Sequence, residues 1–114
     1  MPFQRYPLPK GVTAKEYEAA LEYTGLEEWI FKRKKGILIR SMLMIALYRY
    51  SKRDNNEWFM PSVLSDEMVP MQPLGGTPLI SVNRANSLMR QVIRKTDRWE
   101  DRQGSLQIEY RRTK

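Results

Sequence analysis

TPLISVNRANSLMRQVIRKTDRWEDRQGSLQIEYRR, residues 77–112, is the stretch that decides the fold. Val82, Ala85, Leu88, Met89, Val92 and Ile93 recur at helical spacing, which predicts one amphipathic helix from 77 to about 95. Thr77-Pro78 offers one start, with proline at the first helical position, where its missing N–H costs nothing. Ser81 is the rival cap and the preferred one, because it puts Asn83 and Arg84 in the first turn. Thr96-Asp97 ends the helix. Leu106, Ile108 and Tyr110 then alternate with Gln107, Glu109 and Arg111, a period of two that predicts a strand with one buried face. Residues 98–100 are its expected partner and 101–105 the connecting turn, with Gly104 free to take a positive φ.

The helix carries Asn83, Arg84, Asn86, Ser87, Arg90, Gln91 and Arg94 away from its apolar stripe. A major groove admits one α-helix, and base edges there are matched by Arg on guanine and by Asn or Gln on adenine. Ser87, Arg94 and Lys95 suit phosphates equally well. A solvated polar face would show some of the same residues. At the hairpin, Arg102, Gln103 and Ser105 fall at the expected tip, where arginine suits a minor groove, although Glu100, Asp101 and Glu109 lie close by.

Upstream, residues 37–52 form the most apolar helix and the expected centre of the core. Asp54-Asn55-Asn56 is a turn, residues 57–60 a short strand, and Ser62 the cap of a helix over 63–68. A loop with Pro73 and Gly75-Gly76 follows. Further upstream, Thr13 and Glu16 make a capping box for a helix that stops at Gly25, and a second helix runs from 26 to about 34 before Gly36. Residues 1–9 hold three prolines and read as an extended arm.

The 114 residues have 41% apolar and 29% charged content, ordinary for one globular unit, but a net charge of +7 that points to an anionic partner. The charge is blocked. Residues 32–53 hold eight basic groups and no acid, and residues 81–114 hold nine basic against four acidic, whereas residues 1–31 and 54–80 are net acidic. Lys32, Arg33, Lys34 and Lys35 are the densest run, suited to phosphates without reading sequence. At the predicted helix C-terminus the same run would also complement the helix dipole. With no Cys and no His, thiol chemistry, Cys/His zinc sites and histidine-based catalytic pairs are excluded. Phosphate-cradle and dinucleotide glycine motifs do not occur, so neither a cofactor nor an enzymatic role is expected. Trp29, Trp58 and Trp99 read as core or strand anchors. The longest apolar run, 42–48, is far short of a membrane span.

Helix, short strand, helix, loop, helix and hairpin, in that order over residues 37–112, resemble the winged helix-turn-helix superfamily of DNA-binding domains. That resemblance implies a mostly α fold with a small β-hairpin wing and an N-terminal helical extension. Residues 1–36 would be an arm and helices able to serve dimerisation, and 37–114 the winged unit, all within one compact body. The loop before the third of these helices is longer than the three- or four-residue turn of a tight helix-turn-helix. The function implied is sequence-specific binding of double-stranded DNA by a homodimeric, cytoplasmic protein, in transcription regulation or at a replication or partition site. The contacts would come from residues 83, 84, 86, 87, 90, 91 and 94, from Arg102 and Gln103, and from residues 32–35. Two alternatives stay open: an adaptor docking on a polymerase or replication protein, and an RNA-binding domain led by the 32–35 run.

Overall fold

The helix of residues 37–54 sits at the centre because its sequence leaves it no polar side along most of its length. Met42, Leu43, Met44, Ile45, Ala46 and Leu47 are all buried, six consecutive positions that cover the whole circumference. The computed structural model describes residues 8–54, 57–72 and 80–113. Its helices are α1 (Ala14–Thr24), α2 (Glu27–Phe31), α3 (Ile37–Asp54), α4 (Pro61–Met68) and α5 (Val82–Lys95). A 3₁₀ turn, Val69–Met71, extends α4, and the chain ends in β1 (Trp99–Gln103) and β2 (Ile108–Arg112). The fold is therefore mostly α-helical with a two-stranded antiparallel hairpin after the helices. No described helix is long and apolar enough to cross a membrane.

α3 touches α1, α2, α4 and α5. α1 lies on it through Tyr17, Ala20, Leu21 and Thr24. The Tyr17 and Ser41 hydroxyls share a buried hydrogen bond of 2.6 Å. Thr13 caps α1 by accepting the Glu16 N–H at 3.1 Å. The reciprocal half of the predicted capping box does not form. The Glu16 carboxylate instead takes the Arg49 guanidinium in a two-pronged contact at 2.7 and 2.8 Å. That pairing holds the Glu16 carboxyl below the usual range, chiefly through the hydrogen bond and further through the arginine charge. The C-terminus of α1 is closed by Gly25 at φ 67° and by two distant arginines. Arg98 donates to the carbonyls of Glu22 (2.8 Å) and Tyr23 (2.7 Å), and Arg112 donates to Tyr23 at 3.2 Å. The helices upstream of Ile37 are thus folded onto the body. The radius of gyration, 13.3 Å, matches the ~13 Å of a single packed unit of about 100 residues.

Several local expectations are corrected. α2 stops at Phe31 and not near 34: the Ile30 carbonyl, which a continued helix would use for the Lys34 N–H, accepts from Arg40, and so does the Arg33 carbonyl beyond the helix end. Residues 57–60 form no strand. Phe59 alone bridges Tyr110, with N–H···O contacts of 2.8 Å in both directions, so a third strand is reduced to one residue beside β2. α4 starts two residues earlier than predicted, with Pro61 at its first position and Met60, not Ser62, before it. The hairpin also shifts. Asp101, Arg102 and Gln103 belong to β1, paired with Tyr110, Glu109 and Ile108, and the turn is residues 104–107. The Gly104 N–H closes it on the Gln107 carbonyl at 2.9 Å, and a Cβ at Gly104 would lie 2.5 Å from that same oxygen. Leu106, expected on the buried face of the strand, is consequently at the tip and 85% exposed.

Candidate nucleic-acid interface

α5 begins at Val82. Ser81 is extended and accepts the Arg84 N–H at 3.1 Å, which excludes a helix running unbroken from 77, a position outside the described residues. Ala85, Leu88, Met89 and Val92 bury one stripe against α3 and α4. Val82 is 37% exposed and Ile93 only partly buried, so the apolar face is narrower than the spacing alone suggests.

The opposite face divides in two. Asn83, Arg84, Ser87, Arg90 and Arg94 are exposed. They follow helical spacing, so they line one side of α5. From Arg84 to Arg94 that side spans roughly 15 Å at 1.5 Å per residue. Among the described residues, no ion pair involves any side chain of α5, and α5 itself contains no acid. Asn86 and Gln91, expected among the base-reading groups, are instead tied into the protein. The Asn86 Oδ1 accepts the Tyr110 hydroxyl at 2.6 Å, and the Gln91 Oε1 accepts the Trp29 indole N–H at 3.0 Å. Both partners are otherwise sealed from water, Tyr110 fully and Trp29 to 2%. An unpaired donor at either place would be costly, which accounts for an amide on α5 facing each. Burial, and then the negative charge of Asp101, push the Tyr110 hydroxyl up to about 12, with Arg90 acting the other way.

The hairpin is electrically neutral. Between residues 99 and 112 three acids stand against three arginines. On its outer face Arg111 pairs with Glu100 at 2.6 Å and Arg102 with Glu109 at 2.8 Å. Both guanidiniums lie over the Trp58 ring, at 4.1 Å for Arg102 and 4.5 Å for Arg111. A basic wing was expected from Arg102, yet its charge is matched by Glu109 and its plane is held by Trp58. Gln103 is exposed beside the turn, its amide N–H₂ donating to the Gly104 carbonyl at 3.2 Å.

The second basic block comes to the same region as α5. Lys32, Arg33, Lys34 and Lys35 are all exposed. The loop carrying them is organised by Arg40, a residue the sequence offered only as one charge among eight. Arg40 is 5% exposed and donates to the carbonyls of Ile30 (2.8 and 3.0 Å), Arg33 (2.6 Å) and Lys35 (3.1 Å). The signal available beforehand was an arginine one turn into an otherwise apolar helix. The Trp29–Gln91 bond fixes α2 to α5, so the loop after α2 lies beside the last turn of α5. Loss of solvent, then the positive charges of Arg33, Lys95 and Arg40, push the Lys32 ammonium below its ordinary range. Among the described residues, no group of three or more acidic side chains converges to hold a metal ion.

No family model matches the chain, and no curated protein or solved structure matches it significantly.

Proposed function

We propose that the protein binds double-stranded DNA in a sequence-specific manner through a winged helix-turn-helix arrangement, with α5 in the major groove. The observation that carries this is the exposed side of α5: Asn83, Arg84, Ser87, Arg90 and Arg94 in one line, with no acid on the helix. A line of roughly 15 Å reaches along four to five base-pair steps of about 3.4 Å each. The end of that line near Ser81 is the first turn, where a recognition helix makes its base contacts. Support for the architecture comes from the order α3, Phe59, α4, α5, hairpin, and from the bridge between Phe59 and β2. Two copies reading half-sites about one helical turn apart would give the required specificity, so a homodimer is part of the proposal. The role would be regulation of transcription or occupation of a replication or partition site, by occlusion or recruitment and without catalysis.

Titration of duplex DNA, duplex RNA and single strands, each at two salt concentrations, tests this. Duplex DNA is expected to bind tightest, with affinity falling steeply as salt rises. The variant Arg84→Ala/Arg90→Ala should lose discrimination between selected and random duplexes. Absence of duplex binding at low salt refutes the proposal, and so does unchanged discrimination in the variant.

A further inference from the structure

We infer that residues 32–35 and the last turn of α5 form one phosphate clamp, built around Arg40, and that this clamp rather than the hairpin grips the DNA backbone beside α5. The inference rests on the DNA-binding proposal above and names the contact that flanks the reading helix.

The loop is shaped from within. Four N–H donations from one guanidinium draw three carbonyls inward, so the four cationic side chains of the loop are left facing water. Gly36 makes the turn possible at φ 93°, and a Cβ there would come within 2.6 Å of the Arg40 Nη1. Among the described residues, Arg40 has no carboxylate partner. Its buried charge is compensated by carbonyl dipoles, a charge-assisted arrangement that fixes geometry without neutralising the loop. Burial and the Arg33 charge both act to lower its proton affinity.

The clamp closes on a second element. Trp29 is hydrogen-bonded to Gln91 at 3.0 Å. Lys32 follows Trp29 by three residues and Lys95 follows Gln91 by four, so the chain carries both cations to the same end of this contact. Loss of solvent and then the charges of Arg33 and Lys95 lower the Lys32 ammonium, in keeping with that placement. Arg94 and Lys95 thus extend the loop's cations onto α5, where Arg90 and Arg94 continue toward the reading surface. Like charges gathered in this way repel one another. An acid placed in the loop would relieve that repulsion, and the sequence has none between Glu28 and Asp54. A duplex backbone relieves it equally, since each strand offers one negative charge per about 3.4 Å. The hairpin has no comparable surplus, because two of its arginines already have carboxylate partners.

The test is duplex binding over a salt series by the full chain and three variants. In Lys34→Ala/Lys35→Ala the slope of log affinity against log salt should shrink by about 1.8, or 0.9 per lost phosphate contact. Preference among sequences should stay as in the parent. Arg102→Ala/Gln103→Ala should leave the slope unchanged. Arg40→Lys keeps the net charge but loses the fork, so it should weaken binding while circular dichroism reports a folded chain. If Arg40→Lys unfolds, the exposed Lys34/Lys35 pair still decides. An unchanged slope in that pair, or an equal loss in the hairpin variant, overturns the clamp. Failure of Arg84→Ala/Arg90→Ala to affect sequence discrimination, or absence of any duplex binding, overturns the DNA-binding proposal itself. Loss of discrimination in that α5 variant with no slope change in the loop variant leaves the proposal standing and the clamp refuted.

Discussion

Gln91→Ala and Arg90→Ala, neighbours on α5, should fail in opposite ways. The Gln91 Oε1 is the acceptor for the Trp29 indole N–H at 3.0 Å, and Trp29 is only 2% exposed. Truncation leaves that donor without a partner, a loss of about 1–3 kcal/mol. Alanine recovers a few tenths of a kcal/mol through helix propensity, so a net destabilisation of about 1–2 kcal/mol is expected. For a chain of this size that lowers Tm by roughly 4–8 °C. Arg90 is exposed and in no ion pair among the described residues, so its truncation should change stability by no more than about 0.5 kcal/mol. Thermal and urea unfolding, followed by circular dichroism and tryptophan fluorescence, measure the first half. Duplex titration well below both melting points measures the second, where Arg90→Ala should lose about 1–3 kcal/mol on its preferred sequence and Gln91→Ala almost nothing. If Gln91→Ala melts with the parent but loses sequence preference, the amide faces the DNA and the division of α5 into a holding side and a reading side is wrong.

Other perturbations follow the same geometry. Glu16, held below its ordinary value of 4.5 by Arg49, contributes stability that is present above the unfolded pKa and is lost as pH falls through the folded one. Glu16→Gln should therefore cost about 1 kcal/mol or less near neutrality, and the difference from the parent should vanish in acid, as read by urea midpoints from pH 7 down to below 4.5. Gly36→Ala forces a positive φ on alanine and crowds the Arg40 Nη1, so about 1–2 kcal/mol should be lost in denaturant unfolding. Leu106→Ser, at an 85% exposed tip, should leave the urea midpoint unchanged; a clear fall would mean that the tip packs on something.

The elements that could be read from the chain were those whose signals are local. Thr13, Gly25 and Ser81 cap or stop helices through atoms within four residues, and each does so as spacing and chemistry predict. The apolar period of α5 and the completely apolar middle of α3 are likewise local facts. What escaped depends on pairs far apart in sequence. Asn86 and Gln91 have the chemistry of base readers, and only contacts with Tyr110 and Trp29, 24 and 62 residues away, commit them to the fold. Residues 32–35 suggested a helix end because nothing nearby announced that Arg40 would take their carbonyls. The hairpin register moved because alternation in 106–111 fits two turn positions, and the close fit of Gly104 to Gln107 selects one. Residues 1–7 and 73–79, which hold the arm and most of the loop before α5, lie outside the described residues.

On the DNA-binding proposal, the distribution of matched and unmatched charge separates the parts of this surface that hold the fold from the parts that would bind. Arginines that maintain the fold have partners on the protein: Arg49 with Glu16, Arg98 with the end of α1, Arg102 and Arg111 with carboxylates over Trp58. Arg84, Arg90 and Arg94 on α5, and the cations of residues 32–35, have no such partners among the described residues. A surface ion pair is worth at most about 1 kcal/mol, so stability alone gives little reason either to form these pairs or to avoid them. For a surface that meets phosphate the balance differs. Each cation already paired with a carboxylate must give up that partner before it can displace a counterion from the duplex, which weakens the contact and flattens the salt dependence. An unmatched row on α5, continued by a loop held rigid from beneath by Arg40, avoids that loss. On the DNA-binding proposal, the neutral hairpin serves chiefly to hold α5, through the Tyr110 hydroxyl on Asn86.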